Sequence, residues 1–317
     1  MLPIKLQILL FYIHRIQNPD FSKLSPGSIR RANAKAWPMQ KRVTEYPSPI
    51  MEKMEDMEIT VRDGAQISLR IYRPTNNEDL KTIVFYHGGG FVLRNIDSHD
   101  DLCRRIARKC NALVISVGYR LAPEYKFPIP VLDCFDALLW SKRNAATYGG
   151  NPNDLVVMGD SAGGNLATAV SLMARNQNGP AISKQVLIYP CLDARLKYPS
   201  IETFKDGYLL TKDMMLWFVD HYAGSPEDIL NPLMSPLLSE SLADLPPAFV
   251  STSDHDPLKD EGEDYYRKLS AAGNKTVFKE YKNTIHGFAN IPRLSKQSDV
   301  LVDDIAAFLA DQDLQPL

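Results

Sequence analysis

Hydrophobic and polar residues follow two different patterns along this chain. Near residue 60, segments 57–63 and 67–74 alternate apolar and polar side chains on either side of Asp63-Gly64, which is typical of a β-hairpin. Farther along, apolar residues gather in short continuous runs instead. We predict that each of these runs is a buried strand: 83–86, 112–117, 155–158, 185–189, 248–252 and 276–281.

Longer stretches with a helical pattern separate the apolar runs. They lie at 98–110, 130–148, 162–176, 258–272 and 296–311. Continuous apolar strands that alternate with helices indicate a parallel sheet covered on both faces. The sequence therefore predicts an α/β fold, with a mostly parallel central sheet that starts with an antiparallel hairpin.

One long interval, between residues 192 and 245, breaks this rhythm. It contains several prolines and a helix-like stretch at 212–222, but no convincing strand. Such an interval is too long for a connection within a compact sheet. We therefore predict that 193–232 is an insertion between two core segments, 46–192 and 233–317. Because sheets of this type bind ligands beyond the carboxyl ends of their strands, the insertion would form a lid there.

Composition is that of an ordinary globular protein, but the charge is unevenly distributed. The 317 residues are 44% hydrophobic and 23% charged, with a net charge of −2 that gives no indication of nucleic-acid binding. Residues 1–45 contain eight Lys and Arg against only Asp20 and Glu45, so this segment carries +6 and the remainder −8. The shift predicts a separate N-terminal subregion.

The start of the chain and the cysteines set the expected environment. The apolar run within 4–16 is too short to span a membrane, so we predict a helix packed on the protein. Its basic flanks leave a weak contact with a membrane surface open, and a homodimer is open as well. Cys103 and Cys110 are predicted to share a helix about 10 Å apart, too far for a disulfide. We expect four reduced thiols and a cytoplasmic protein.

Two glycine-rich motifs suggest the chemistry. Gly159-Asp160-Ser161-Ala162-Gly163 stands between a predicted strand and a predicted helix, where a sharp turn would project the Ser161 hydroxyl beside the positive helix N-terminus. After the strand at 83–86, His87 and three consecutive glycines would leave backbone N–H groups accessible to an anion. A phosphate-binding loop is excluded because no Lys-Ser or Lys-Thr follows these glycines.

A serine nucleophile requires a base and an acid. In sheets with this type of turn the chain order is nucleophile, acid, histidine, which excludes the histidines before Ser161. Of those that follow it, His286 lies in the loop after the last predicted strand, where a base is expected. The acid should follow the preceding strand, where Asp254, Asp256 and Asp260 are candidates. Spacing favours Asp256 but leaves Asp254 as a competitor.

Together, five motifs resemble those of the bacterial hormone-sensitive-lipase-like carboxylesterases, which have the α/β-hydrolase fold. The motifs are HGGGF (87–91), YRLAPEYKFP (119–128), GDSAGGNLA (159–167), DPLKDEG (256–262) and HGF (286–288). The resemblance covers about residues 80–290, and the order and spacing of the motifs fit the family.

The resemblance implies a role for each site residue. Ser161 would be the nucleophile, His286 the base and Asp256 the acid. An oxyanion hole would comprise the N–H groups of Gly88, Gly89 and Ala162. Residues 1–45 and 193–232 would form a helical cap over the acyl pocket, and no cofactor or metal would be needed.

The implied reaction is hydrolysis of carboxylic esters with short-to-medium acyl chains, through an acyl-enzyme intermediate. Two alternatives remain at this point. A serine amidase, such as an arylformamidase, would have the same three residues. A non-catalytic binding protein on a hydrolase scaffold would typically lack one of them, whereas Ser161, Asp256 and His286 are all present.

Overall fold

The computed structural model describes residues 2–17 and 23–312, which contain one central sheet of eight strands. The strands are β1 Lys53–Thr60, β2 Gln66–Arg73, β3 Leu80–Tyr86, β4 Leu113–Gly118, β5 Gly150–Asp160, β6 Lys184–Ile188, β7 Ala248–His255 and β8 Thr276–Ile285. Their order is β1-β2-β4-β3-β5-β6-β7-β8. The pairs β1–β2 and β2–β4 are antiparallel, and every later pair is parallel. The predicted sheet, including its antiparallel start, is confirmed.

Nine α-helices accompany the sheet in the described residues. They are α1 Ile4–Phe11, α2 Pro26–Thr44, α3 Asp100–Cys110, α4 Ile129–Asn144, α5 Ala162–Asn176, α6 Pro199–Thr203, α7 Lys212–Tyr222, α8 Lys259–Ala271 and α9 Gln297–Leu309. A π-helical turn, Tyr12–Gln17, continues α1. No helix among these has the length and hydrophobicity needed to cross a bilayer.

Helices cover both faces of the sheet, as predicted. Alternate residues of β3 enter two different cores: Val84 lies in the core that α4, α5 and α8 close, whereas Phe85 lies in the core that α3 and α9 close. Both side chains are fully buried. A strand buried on both faces appears in the sequence as a continuous apolar run, which is why the central strands could be predicted.

The strands extend beyond the apolar runs that predicted them. β5 begins at Gly150 rather than 155. The apolar run did not reveal its first residues because they are mostly polar, and the register of β5 against β3 shifts after them. At the carboxyl edge, β7 continues to His255 and β8 to Ile285, with a second irregularity between Ser253 and His255. These extensions place residues 256 and 286 directly at the sheet edge.

Two helical regions outside the sheet contact its carboxyl edge. The insertion 193–232 contains α6 and α7 and no strand. In the N-terminal region, Arg30 of α2 donates to the carbonyl oxygens of Val92 and Ala122 and pairs with Glu124 at 2.9 Å. Parts of two predicted segments lie outside the described residues: 1 and 18–22 of segment 1–45, and 313–317 of segment 233–317.

The buried carboxylate of Glu45 follows the end of α2, close to the first turn of α3. Lys41 Nζ is 3.7 Å from Glu45 Oε2 and 3.8 Å from Asp100 Oδ2. Burial, together with the charge of neighbouring Asp101, raises the pKa of Glu45 to about 7. Glu45 therefore binds its proton more tightly in the folded protein than in the unfolded chain, where a glutamate has a pKa of 4.5.

This raised pKa predicts a pH-dependent contribution to stability. The contribution is complete below about pH 4.5 and is lost as the pH rises through about 7. Glu45→Gln should raise the melting temperature by roughly 2–4 °C at about pH 8.5 and change it little at about pH 5. The exposed Glu52→Gln is the matched control and should show no such difference. Equal effects of Glu45→Gln at both pH values in thermal melts would contradict the assignment.

Candidate active site

Ser161 occupies a strained turn between β5 and α5. Its backbone angles are φ 55° and ψ −119°, a conformation that side-chain-bearing residues rarely adopt. The turn is held because the Ser161 N–H donates to the carbonyl oxygen of Ile188, at 2.8 Å. The hydroxyl is thereby presented at the start of α5, partly exposed to solvent, as the motif predicts.

The glycines on either side of Ser161 are needed because three backbone segments meet there. A Cβ atom on Gly159 would lie 2.3 Å from the carbonyl of Gly163. A Cβ atom on Gly163 would lie 1.8 Å from the carbonyl oxygen of Tyr86, at the end of β3. Both distances are far below van der Waals contact, so neither position can hold a side chain without a shift of the backbone.

Ser161, His286 and Asp256 form one hydrogen-bonded chain. His286 Nε2 lies 2.9 Å from Ser161 Oγ, and His286 Nδ1 lies 2.8 Å from Asp256 Oδ2. The three residues follow the carboxyl ends of β5, β8 and β7. Asp256 is fully buried and also accepts the Leu258 N–H at 2.9 Å, which fixes its orientation. An Nδ1–H that donates to Asp256 leaves Nε2 as an acceptor for the serine proton.

The competing acids have other partners. Asp254 accepts the N–H groups of Asn283 and Thr284, at 2.8 and 2.9 Å. Burial acts to raise the pKa of Asp254, but these two donors, together with neighbouring His255, hold the pKa below its ordinary value. Asp260 accepts the Ser200 N–H at 2.8 Å. The choice that spacing left open therefore falls on Asp256 by geometry.

The buried side chain of His87 contacts the glycine loop. Its Nδ1 lies 2.7 Å from the carbonyl oxygen of Gly88, and its ring stacks on Tyr119 at 4.3 Å. Burial, together with neighbouring His99, lowers the pKa of His87 to about 3. The imidazole therefore stays neutral and its contacts are structural.

The loop differs from the sequence expectation at one glycine. The N–H of Gly88 donates to Asp160 Oδ1 at 2.9 Å, so it is directed into the protein and away from a bound oxyanion. The expectation that Gly88 supplies an oxyanion donor is therefore wrong in this geometry. Three adjacent glycines look alike in a sequence, and only the fold shows which N–H groups are already occupied.

Asp160 and His99 are two site residues that sequence reasoning missed. Besides Gly88, Asp160 Oδ1 contacts His99 Nε2 at 3.0 Å, and Oδ2 accepts from Asn290 Nδ2 at 3.2 Å. Both Asp160 and His99 are buried. A charged residue next to the nucleophile, inside an otherwise small-residue motif, was the available signal.

Three backbone N–H groups near Ser161 have no acceptor among the described residues: those of Gly89, Gly90 and Ala162. Gly89 and Gly90 have left-handed φ angles of 118° and 62°. A Cβ atom on Gly90 would lie 2.3 Å from the ring of Phe218 in α7, so the insertion packs directly on this loop.

The close approach at Gly163 gives a stability test with an internal control. Gly163 and Gly27 are each the second residue of a helix, α5 and α2. A Cβ atom on Gly27 would meet only the end of Arg31, at 3.4 Å. Gly163→Ala should lower the melting temperature by more than about 5 °C or abolish soluble expression, whereas Gly27→Ala should leave it unchanged. A Gly163→Ala protein that melts like the wild type would refute the steric account.

Known proteins are similar to this chain over most of their length. A family model described as an alpha/beta hydrolase fold matches residues 83–290. An arylesterase of Saccharolobus solfataricus is 37% identical over 284 residues, which are 89% of this chain and 90% of that protein. An ethyl acetate hydrolase of Pseudomonas putida is 36% identical over 250 residues, covering 78% of this chain and 79% of its own.

Solved structures agree with these similarities. A hyperthermophilic esterase from the archaeon Pyrobaculum calidifontis has a TM-score of 0.91 and 37% sequence identity, with 98% of each chain covered. The family match spans more than half of the chain, and it includes the glycine loop after β3 and the loop that carries His286. The chain belongs to the hormone-sensitive-lipase-like carboxylesterases of the α/β-hydrolase fold.

Proposed function

We propose that this protein hydrolyses carboxylic esters with short-to-medium acyl chains, and that Ser161, His286 and Asp256 carry out the reaction. The observation that carries the proposal is the continuous hydrogen-bond chain from Asp256 through His286 to the Ser161 hydroxyl. The carboxylesterase family to which the chain belongs supports the ester linkage as its target.

The reaction proceeds in two halves. Ser161 Oγ attacks the ester carbonyl carbon while His286 Nε2 takes the hydroxyl proton, and the bond to the alcohol oxygen breaks as His286 returns that proton to it. Water then attacks the acyl-enzyme, again giving a proton to His286, and the carboxylic acid leaves as Ser161 regains its hydroxyl. Asp256 keeps the imidazole in the required tautomer and stabilises it when protonated.

The negative charge of each tetrahedral intermediate is held by backbone donors. Gly89 and Ala162 keep the role expected from the sequence, and Gly90 replaces Gly88, whose N–H already binds Asp160. The N-terminus of α5 adds positive potential at the same place. Such preorganised donors are among the largest contributions to acyl-transfer catalysis.

Residues 1–45 and 193–232 act as the cap over the acyl pocket. The support is the contact of Phe218 with the loop at Gly90, together with Leu209, which would lie 3.4 Å from a Cβ atom on Gly287. A helix this close to the reacting centre favours short and medium acyl chains. A cytoplasmic location and a homodimer stay predictions.

The nucleophile assignment is tested with p-nitrophenyl acetate, butyrate, octanoate and palmitate. The wild type should prefer one of the first three, and Ser161→Ala should lower kcat by about 10⁶-fold with an unchanged melting temperature. Undiminished turnover by the variant would refute the mechanism. Faster cleavage of matched p-nitroanilides than of esters would instead identify an amidase.

The acid assignment is tested with two neighbouring carboxylates. Asp256→Asn should lower kcat by about 10⁴-fold, because an amide cannot hold the imidazole in the required tautomer. Asp254→Asn is the matched control, since that side chain binds the backbone of residues 283 and 284 rather than His286. If Asp254→Asn gave the larger loss of kcat, the two roles would have to be exchanged.

A further inference from the structure

Exposed apolar side chains are concentrated at the start of the chain. Of the thirteen large hydrophobic residues that are exposed within the described residues, four lie at position 54 or later: Met54, Tyr125, Leu216 and Leu230. The other nine precede residue 51: Ile4, Ile8, Phe11, Tyr12, Leu24, Met39, Val43, Tyr46 and Ile50. Surface patches of this kind in a soluble domain mark an interaction site.

Helix α1 is apolar on two sides, of which only one is covered. Leu6 and Leu10 are buried against Ile285, Ile291 and Leu294 of the core. On the outer side, three large side chains at one-turn spacing remain 75%, 63% and 62% exposed: Ile4, Ile8 and Phe11. No residue of the described chain covers this outer row.

Helix α2 presents a second row in which apolar and basic residues share one face. Met39 and Val43 are 74% and 50% exposed and stand one turn apart. Three exposed cations extend the same face at intervals of four and seven residues: Arg31, Lys35 and Arg42. None of the three pairs with a carboxylate among the described residues.

The helices α1 and α2 both contact one segment of the core. Leu6 and Leu10 of α1 pack on residues 285–294, and Arg293 in this segment donates its N–H to the carbonyl oxygen of Thr44, the last residue of α2. The Arg293 guanidinium also lies 5.8 Å from the ring of exposed Tyr46. Apolar side chains bordered by basic ones are the pattern of a surface that enters the interface of an anionic bilayer.

We infer that the outer faces of α1 and α2 dock on an anionic lipid surface. The charge distribution selects this occupant, because residues 1–45 carry +6 while the remainder carries −8. A symmetric dimer through the same faces would place one positive segment against another. The docked helices belong to the proposed cap, so esters dissolved in the lipid would reach Ser161 without crossing water. This consequence for the substrate rests on the proposed function, whereas the docking itself does not.

Vesicle co-sedimentation tests the inference. The wild type should sediment with phosphatidylglycerol–phosphatidylcholine vesicles at about 0.05 M salt and be released at about 0.5 M salt and from phosphatidylcholine alone. Ile8→Ser with Phe11→Ser should weaken the partition coefficient about tenfold or more, and Arg31→Gln, Lys35→Gln and Arg42→Gln together about a hundredfold. The control, Leu216→Ser with Leu230→Ser, alters exposed apolar residues elsewhere and should bind like the wild type.

Two further measurements separate the outcomes. Ser161→Ala should bind vesicles like the wild type, so that a failed esterase assay and a failed docking assay remain distinct. Melting temperatures of all variants should match the wild type, and any variant that melts lower is replaced by its single substitutions. Absence of vesicle binding, equal binding to neutral vesicles, or equal loss in the control would overturn the inference. Sedimentation velocity that shows a dimer lost in the α1 variant, without vesicle binding, would assign these faces to a second copy.

Discussion

The carboxylate of Asp160 holds together the segments that build the site. It is the last residue of β5, and it receives the N–H of Gly88 from the glycine loop, His99 from the turn that precedes α3 and Asn290 from the loop after His286. Burial acts to raise the pKa of Asp160, but His99 and the Gly88 donor outweigh it, and the pKa lies below its ordinary value. Because an ionised carboxylate is costly to bury without partners, each donor is kept in place by the others.

This anchoring explains why the glycine loop has one N–H directed inwards and the next ones free. With Gly88 fixed on Asp160, the chain turns through left-handed conformations at Gly89 and Gly90, whose N–H groups have no acceptor among the described residues. The same interaction fixes the distance between the loop and the nucleophile, because Asp160 and Ser161 are consecutive. Donor and nucleophile positions are therefore determined by one rigid contact rather than by two flexible loops.

The sequence was informative where one residue type has only one structural use. Gly159 and Gly163 flank a turn that admits no Cβ atom, and chain order together with the place after the last strand selected His286. It was less informative for the acid, since three aspartates lie within seven residues and the register of β7 against β8 shifts between Ser253 and His255, just before Asp256. Local patterns do not encode such a register shift. Local patterns also cannot show where the Gly88 N–H is directed. Its acceptor, Asp160, is distant in the chain, and the two residues meet only because β3 pairs with β5.

The sheet order distributes the catalytic groups unequally between its centre and its edge. Ser161 follows β5, which has strands on both sides, whereas His286 follows β8, the last strand of the sheet. A terminal strand opens more readily than a central one, since only one neighbour holds its backbone. The position of the imidazole therefore depends on a strand that has a neighbour on one side only, whereas the position of the hydroxyl depends on a strand that is held from both sides.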